Sequence, residues 1–333
     1  MPYTKTLALL DALILEVEKP SLRATAPAKP PPAPAPAPAP PPAPTAPTSA
    51  KPDVAKAKAA ANGAPTPKAA EAAKTSDGAT VPATEALYQG DTYLFTNEAS
   101  VLAIEPLLND TGWVVFLDRT CFHPQGGGQP SDTGTITSIE GGEPFAVAMC
   151  KKDPGGAVRH EGSAAAPSFT VGAKVRCVID GDPRVRNARV HSAGHLIDVA
   201  MGMSGMTLKP TKGYHFPNGA YVEYEGKLEA KEREALIPKL QEAMDKLIAE
   251  GIKTEVKDVE GQKLDTACPL NALPSDKCMW GTGWVRVVNL GGQGCPCGGT
   301  HVNSTKELGK VVVGKVSSKG KVTRVSYSVG DID

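Results

Sequence analysis

Two short motifs restrict how this chain can fold. HSAGH occupies residues 191–195 and CGGTH occupies residues 297–301, so each motif spaces two potential metal ligands four residues apart. The motifs lie about a hundred residues from each other. If they bind one ion, the fold has to bring two distant segments together.

The first motif falls in a segment with the periodicity of a helix. Apolar residues recur at helical spacing between about 183 and 202, and Pro183 stands near the predicted first turn. His191 and His195, at positions i and i+4, would therefore project from one face. Such a pair is a common half-site for zinc, although helical histidine pairs also occur as ordinary polar surface.

The second motif favours a turn that wraps an ion, because Gly298 and Gly299 separate its two potential ligands. One thiolate and three imidazoles, from His191, His195, Cys297 and His301, suit tetrahedral Zn²⁺, with one ion per chain. Cys295 is an alternative to Cys297, whose spacing to His301 mirrors that of the histidine pair. Four protein ligands leave two options open: a closed structural site, or a catalytic site in which one ligand is loose enough to admit water or substrate.

Three other histidines have no place in this ligand set. His123, His160 and His215 are each interpreted as surface or hydrogen-bonded residues. His215, in the stretch KGYHF, is also a candidate for lining a cleft.

Composition divides the chain into parts that can and cannot fold. Residues 26–50 consist mainly of Pro and Ala, and such a segment cannot bury enough apolar surface to offset the entropy of ordering. We predict a short amphipathic helix at 1–20, a disordered Pro/Ala-rich linker at 21–84 and a folded region from 85 onward. The segment 1–20 is interpreted as a docking helix, with a targeting peptide and a functionless end as alternatives. No run of about 18 uninterrupted apolar residues is present, so no membrane span is expected.

The folded region has the pattern of an α+β protein. Short apolar runs separated by Gly and Asp-Gly predict a small antiparallel β-barrel subdomain at 85–180. A helix-on-sheet, zinc-binding domain is predicted at 181–333. Its second amphipathic helix covers 228–250, and Pro238 is expected to bend or split it.

A glycine-rich loop interrupts the predicted barrel. The stretch HPQGGGQPSDTG at 123–134 contains Gly126, Gly127 and Gly128 in succession, which excludes the interior of a strand. The loop is either an irregular surface turn or a segment that contacts a ligand or the neighbouring subdomain.

Four pieces of the sequence together carry a family resemblance. They are DRTCFHPQGGGQPSDTG (118–134), RVHSAGHLIDVA (189–200), GYHFP with YVEYEG (213–226) and VRVVNLGGQGCPCGGTHV (285–302). In this order they resemble the editing domain of alanyl-tRNA synthetases and, more closely, the free-standing alanyl-tRNA editing proteins called AlaX. The resemblance covers roughly 88–320, and the glycine-rich loop is typical of the medium-length type. The first 84 residues lie outside it.

The resemblance implies a hydrolase that acts in trans on mischarged tRNA(Ala). It would deacylate chiefly Ser-tRNA(Ala), with Gly-tRNA(Ala) as a second candidate, without ATP and in the cytoplasm. Seven cysteines, an odd and sparse set for this length, also favour a reducing compartment over a secreted disulfide framework.

The resemblance also nominates catalytic residues. Thr120 matches a family threonine thought to sense the seryl hydroxyl, and Gln129 matches a polar position near the substrate. Alternatively, Thr120 is a strand residue with an outward side chain, and Gln129 is a simple loop residue.

Substrate contacts are expected from several further residues. Those proposed to bind substrate are Gly126, Gly127, Gly128, His215, Arg189 and Lys212. The nearby Arg184, Arg186 and Lys209 are candidates for contacts with acceptor-stem phosphates, with solvated surface charge as the alternative. A net charge of zero gives no further indication of nucleic-acid binding.

Two other functions compete with this interpretation. The chain could be a catalytically inactive, zinc-containing tRNA-binding subunit of a translation or synthetase complex, attached through the N-terminal helix. A small-molecule metallohydrolase is disfavoured, since Ser192, Ala193 and Gly194 fill the interval between the histidines and provide no carboxylate.

Overall fold

The computed structural model describes residues 73–74, 80–107, 111–162, 164–268 and 283–330. The predicted N-terminal helix and most of the predicted linker lie outside the described residues. Among the helices of these ranges, none combines the length and the apolar character that a membrane span requires.

Apart from one short 3₁₀ helix (Leu87–Gln89), the regular elements in the first part of the described chain are strands. They are β1 (Ala73–Lys74), β2 (Thr80–Val81), β3 (Glu85–Ala86), β4 (Thr96–Pro106), β5 (Trp113–Leu117), β6 (Arg119–Thr120), β7 (Gly134–Ser138), β8 (Phe145–Lys152), β9 (Val158–Gly162) and β10 (Lys174–Ile179). Six of them close a barrel in the order β10-β4-β5-β9-β8-β7, and every pair in it is antiparallel. β1 pairs with β2, and β3 pairs in parallel with β6. The predicted small antiparallel barrel is therefore confirmed.

The alternation of apolar and polar residues determines which face of each barrel strand is buried in the core. In β10, Val175, Cys177 and Ile179 are buried while the residues between them are exposed. This period of two is what a strand with one face toward a core requires. These side chains belong to one core cluster with residues of other barrel strands, among them Val115, Leu117 and Ile136.

The second part combines helices with two sheets. Its elements are α1 (Gly181–Met203), β11 (Pro210–Tyr214), β12 (Tyr221–Glu225), α2 (Ala230–Glu250), β13 (Glu255–Glu260), α3 (Leu264–Ala267), β14 (Trp284–Leu290), β15 (Gln293–Pro296), β16 (Val311–Lys319) and β17 (Val322–Val329). One sheet has the order β11-β12-β17-β16 and the other has the order β13-β14-β15. These elements confirm the two predicted helices, and β11 and β12 form an antiparallel hairpin.

The two long helices share a core with the four-stranded sheet. Leu196 of α1, Leu240 and Met244 of α2 and Val325 of β17 all belong to this cluster and are fully buried. α2 continues through Pro238, so the predicted split does not occur. Glu229, which precedes α2, and Glu232, the third residue of the helix, form a capping box. Each side chain accepts a hydrogen bond from the backbone amide of the other residue.

A buried ion pair attaches the start of α1 to the barrel segment. The guanidinium of Arg184 donates to both carboxylate oxygens of Asp132, and it also donates to the carbonyl oxygens of Thr92 and Cys121. Arg184 has no exposed surface. The expectation that Arg184 contacts RNA phosphates is therefore wrong, because all of its contacts are inside the protein. Arg186, by contrast, is exposed.

Candidate metal centre and its cleft

The structure brings the two sequence motifs together. His191 and His195 lie one turn apart on α1, with ring centroids 5.0 Å from each other. Cys297 directly follows β15, and His301 lies four residues further along the same loop. One ligand atom from each of these four residues lies within 4.8 Å of all the others.

The spacing of the ligand atoms fits a tetrahedral ion. Cys297 Sγ lies 3.5 Å from His191 Nε2 and 3.3 Å from His301 Nε2. A tetrahedral site with metal–sulfur and metal–nitrogen bonds of about 2.3 and 2.0 Å separates its ligand atoms by roughly 3.3–3.6 Å. His195 Nε2 is buried and has no hydrogen-bond partner among the described residues. A metal ion would supply the missing partner of this nitrogen.

Hydrogen bonds outside the ligand set orient two of the rings. His191 Nδ1 lies 2.7 Å from Gln129 Oε1, and His301 Nδ1 lies 3.1 Å from Ser192 Oγ. With Nε2 facing the sulfur, each Nδ1–H is the donor in these bonds. Such partners fix the tautomer and orientation of metal-binding histidines. Gln129 is itself held by Thr300, whose hydroxyl accepts from its Nε2 and whose amide donates to its Oε1.

Burial keeps the imidazoles neutral. It lowers the pKa of His195 to about 4, and it also lowers the pKa values of His191 and His301, with the neighbouring imidazoles adding to the effect. Neutral imidazole is the form that binds a metal ion. Burial raises the pKa of the Cys297 thiol, while the hydrogen bond from a backbone amide of the loop and a nearby guanidinium oppose this rise.

Arg286 on β14 holds the loop that carries the thiol and His301. Its Nη1 donates to the carbonyl oxygens of Cys297 and Gly299, at 2.6 and 3.1 Å, and its Nε donates to Gln89 O. Position 299 has no room for a side chain, so only glycine fits there. A Cβ added there would lie 2.3 Å from Cε1 of the His191 ring, which is closer than any real contact.

The glycine-rich loop contacts the second half of the chain. This agrees with its interpretation as a segment that contacts the neighbouring subdomain and not with that of an irregular surface turn. The loop makes a tight turn in which Gly127 and Gly128 both have positive φ. The carbonyl of Gly128 accepts from the His215 amide at 2.8 Å, and a Cβ on Gly128 would lie 2.4 Å from the Gly213 carbonyl oxygen. This close approach directs Gln129 toward the metal centre.

A cavity of about 270 Å³ opens beside three of the four ligands. Its wall includes the ligand residues His191, His195 and Cys297. Three of the residues that we expected to bind substrate also line it: Gly127, Lys212 and His215. Gly126 and Gly127 also line a smaller neighbouring cavity of about 150 Å³.

His215 is positioned by stacking and by a hydrogen bond. Its ring lies 4.4 Å from that of His191 at an angle of 21°, and its Nδ1 lies 2.6 Å from the Tyr327 hydroxyl oxygen. Tyr327 in turn donates to Val190 O at 3.0 Å, so Nδ1–H of His215 is the donor to Tyr327. Burial lowers the pKa of His215 to about 3.

Two sequence candidates lie away from this cavity. Arg189 is buried, and it donates to the carbonyl oxygens of Glu307 and Leu308 at 3.1 and 2.6 Å. Thr120 is fully buried in the barrel and lies 2.8 Å from His160 Nε2, so its side chain does not point outward. The structure therefore brings neither side chain to the cleft.

One carboxylate in the cleft was not predicted. Asp198 lines the same cavity as the histidines, and its Oδ1 accepts from the Tyr224 hydroxyl at 2.6 Å. A signal for it is present in the sequence, because Asp198 follows His195 by three residues and so shares its helix face.

Two family models match the sequence. The model described as "tRNA synthetases class II (A)" matches residues 51–183, and the model of the threonyl and alanyl tRNA synthetase second additional domain matches residues 285–324. The second match contains Cys297 and His301.

Known proteins match over a longer stretch. The alanyl-tRNA editing protein AlaX-M of Methanosarcina mazei is 32% identical over 254 residues, which cover 73% of this chain and 95% of that protein. AlaX-M of Saccharolobus solfataricus is 31% identical, over 74% of this chain and 99% of that protein. The alanine–tRNA ligase of Archaeoglobus fulgidus is 32% identical over 75% of this chain, but the match covers 26% of the ligase.

Proposed function

Because the chain belongs to the family of AlaX-M alanyl-tRNA editing proteins, we propose that it is an aminoacyl-tRNA deacylase that acts in trans. Its substrate is tRNA(Ala) mischarged with serine, and glycine is the second amino acid to test. The reaction adds water across the aminoacyl ester at the 3′ terminal ribose and releases a free amino acid and tRNA. A tRNA substrate is consistent with the expected cytoplasmic location.

One observation carries this proposal: the converging ligand atoms border a cavity instead of a closed core. Three of the four ligand residues line that cavity, so a substrate group can approach them. A site of this kind differs from a structural metal site, in which protein ligands enclose the ion.

The donor set fits Zn²⁺, which His191, His195, Cys297 and His301 would hold. When bound, Zn²⁺ would supply Lewis-acid polarisation of the ester carbonyl or lower the pKa of a water molecule, for which it would have to accept a fifth ligand or release one of the four. Side chains behind the ligands, among them that of Gln129, keep two of the rings in the required tautomer. Gln129 therefore supports the site from behind the ligands.

The remaining candidates divide by position. Lys212 and Lys209 are exposed, and Lys212 borders the cavity. We therefore expect these side chains to contact phosphates of the acceptor end. The role of Thr120 in sensing the seryl hydroxyl stays a prediction. Its hydroxyl is shared with His160 and would reach a substrate only if that hydrogen bond were exchanged.

A trans-deacylation assay tests the proposal. Purified protein is incubated with Ser-, Gly- and Ala-tRNA(Ala), and the wild type is compared with His191→Ala at equal concentration of folded protein. We expect hydrolysis of Ser-tRNA(Ala), sparing of Ala-tRNA(Ala) and a loss of at least about a hundredfold in the variant. Binding of mischarged tRNA without turnover by the wild type would instead support the inactive tRNA-binding subunit.

The N-terminal segment adds a second, separate proposal about partners. Residues 1–20 have an amphipathic pattern, and we expect them to dock on a synthetase or another component of translation. A pull-down with the full chain and with a chain lacking residues 1–25 tests this. Equal recovery of a synthetase with both chains would contradict it.

A further inference from the structure

Asp198 occupies a wall shared by two cavities. It lines the 270 Å³ cavity beside the metal centre and a second cavity of about 530 Å³. Apolar side chains line much of the second cavity, including Met201, Met206 and Leu208. The carboxylate therefore borders the space that a substrate next to the metal centre would enter.

The Asp198 carboxyl has a hydrogen-bond partner but no ion-pair partner among the residues that the structure describes. Burial raises its pKa to about 7, and the hydrogen bond from Tyr224 only partly opposes this rise. Among the described residues, no Lys or Arg forms an ion pair with it, although Lys212 lines the same cavity. A desolvated carboxylate without a cation gains strongly from a positively charged ligand.

The position of Asp198 on α1 restricts which part of a substrate it can reach. It follows His195 by three residues, a spacing that puts the two Cβ atoms about 5–6 Å apart. An aminoacyl ester carries its α-nitrogen two bonds from the carbonyl carbon. A substrate whose carbonyl lies beside the metal centre can therefore place its ammonium group against this part of the helix, because Asp198 lines the same cavity as His191 and His195.

We propose that Asp198 binds the α-ammonium group of the aminoacyl moiety. Oδ1 is already held by Tyr224, which leaves Oδ2 to accept from the ligand. The α-amino group has an ordinary pKa of about 8 and is largely charged at neutral pH. Asp198 would thus select substrates with a free amino group and would fix the ester relative to the metal centre. This assignment rests on the proposed function for its choice of substrate.

Binding of two stable analogues tests the assignment directly. The first is adenosine with an L-seryl group on a 3′-amino group, joined by an amide that resists hydrolysis. The second carries a 3-hydroxypropanoyl group and differs only in lacking the α-amino group. Calorimetry with the zinc-loaded full chain should show that the wild type binds the first at least about tenfold more tightly, since a hydrogen bond between charged groups is lost in the second.

Variants at two residues separate recognition from packing. Asp198→Asn keeps the shape and should bind both analogues within about twofold, and Asp198→Ser provides the same comparison if the first variant does not fold. Tyr224→Phe removes the hydroxyl that contacts Asp198 but keeps the carboxylate, so it should retain the preference. A role of Asp198 in packing alone would leave the preference intact in every folded variant.

Two results would overturn the assignment. One is equal binding of both analogues by the wild type, including no measurable binding of either. The other is an Asp198→Asn or Asp198→Ser protein that keeps the wild-type preference. Turnover of Ser-tRNA(Ala) is measured separately. A wild type that prefers the amine analogue without hydrolysing the tRNA refutes the deacylase, whereas hydrolysis without that preference refutes only the role of Asp198.

Discussion

The barrel and the metal centre both bury histidines, but the two regions treat them differently. In the barrel, His160 Nδ1 lies 2.9 Å from Val115 O and Nε2 lies 2.8 Å from Thr120 Oγ1, so both ring nitrogens have partners. In the metal centre, His195 Nε2 is buried without a partner in the part of the chain that the structure describes. Burial lowers the pKa of both histidines to about 4.

This comparison teaches that a lowered pKa does not distinguish a core histidine from a ligand histidine. The distinction lies in the partners of the ring nitrogens. A buried nitrogen without a partner costs free energy in the folded protein unless something binds it. The metal centre should therefore be stabilised from outside the chain, while the barrel stabilises its own polar groups.

The largest expected effect is the loss of the only thiolate ligand in the set. Cys297→Ser should abolish stoichiometric zinc binding and reduce deacylation by about a thousandfold, because the hydroxyl is a poor substitute for the soft thiolate. Zinc content after dialysis, measured by elemental analysis, checks this. Cys295→Ser is the matched control, since Cys295 lies two residues earlier in β15 and outside the ligand set. Loss of zinc from the control but not from Cys297→Ser would reverse the assignment.

The next largest effect concerns the buried carboxylate of Asp132, which is paired with Arg184 of the same chain. Arg184→Ala leaves Asp132 buried and unpaired, and we expect a loss of about 3–5 kcal/mol in the free energy of unfolding. Urea denaturation measures it. Arg186→Ala, two residues further along the same helix, should change stability by less than about 0.5 kcal/mol because Arg186 is exposed. Similar stability of the two variants would contradict the internal role of Arg184.

These neighbouring arginines show one limit of sequence analysis. Both were candidates for RNA contacts, and nothing in the charge pattern separates them. The difference arises from the rotation of α1 against the barrel, which turns Arg184 toward Asp132 and Arg186 toward solvent. A single sequence predicts the helix but does not determine which side of its first turn meets the other subdomain.

Local patterns predicted the barrel well. Strands such as β10 alternate clearly, whereas β9 (Val158–Gly162) lacks a clear strand pattern because VRHEG mixes polar residues with glycine. Its burial comes from pairing with β5 and β8, which is a non-local effect.

The ligand set was also predictable, because the spacing of the motifs is local. Asp198 was missed although its i+3 spacing from His195 is equally local.

A third test asks how closely the loop must approach the helix. Gly299→Ala puts a Cβ against the ring of His191, and we expect zinc affinity to fall by about ten- to a hundredfold. Gly298→Ala is the matched control, because its Cβ would meet only Gln89 Nε2, at 3.4 Å. A competition assay with a chelator measures both affinities. Equal affinities would show that the ring can move aside, and the metal centre would then be less rigid than the barrel.

The smallest expected effect tests the barrel histidine through pH. The pKa of His160 is lowered to about 4 from an ordinary value of 6.5, so between these values the unfolded chain binds a proton that the folded chain does not. The stability contributed by neutral His160 is present above pH 6.5 and falls as the pH decreases toward 4. Its share of the loss between pH 6.5 and 5 is about 1.5 kcal/mol. The free energy of unfolding, measured with urea, should fall by about 1.5 kcal/mol less between pH 6.5 and 5 in His160→Gln than in the wild type. This difference does not depend on how stable the variant is at pH 7. An unchanged slope would mean that protonation of His160 is tolerated, and the barrel would then not depend on the two hydrogen bonds that distinguish it from the metal centre.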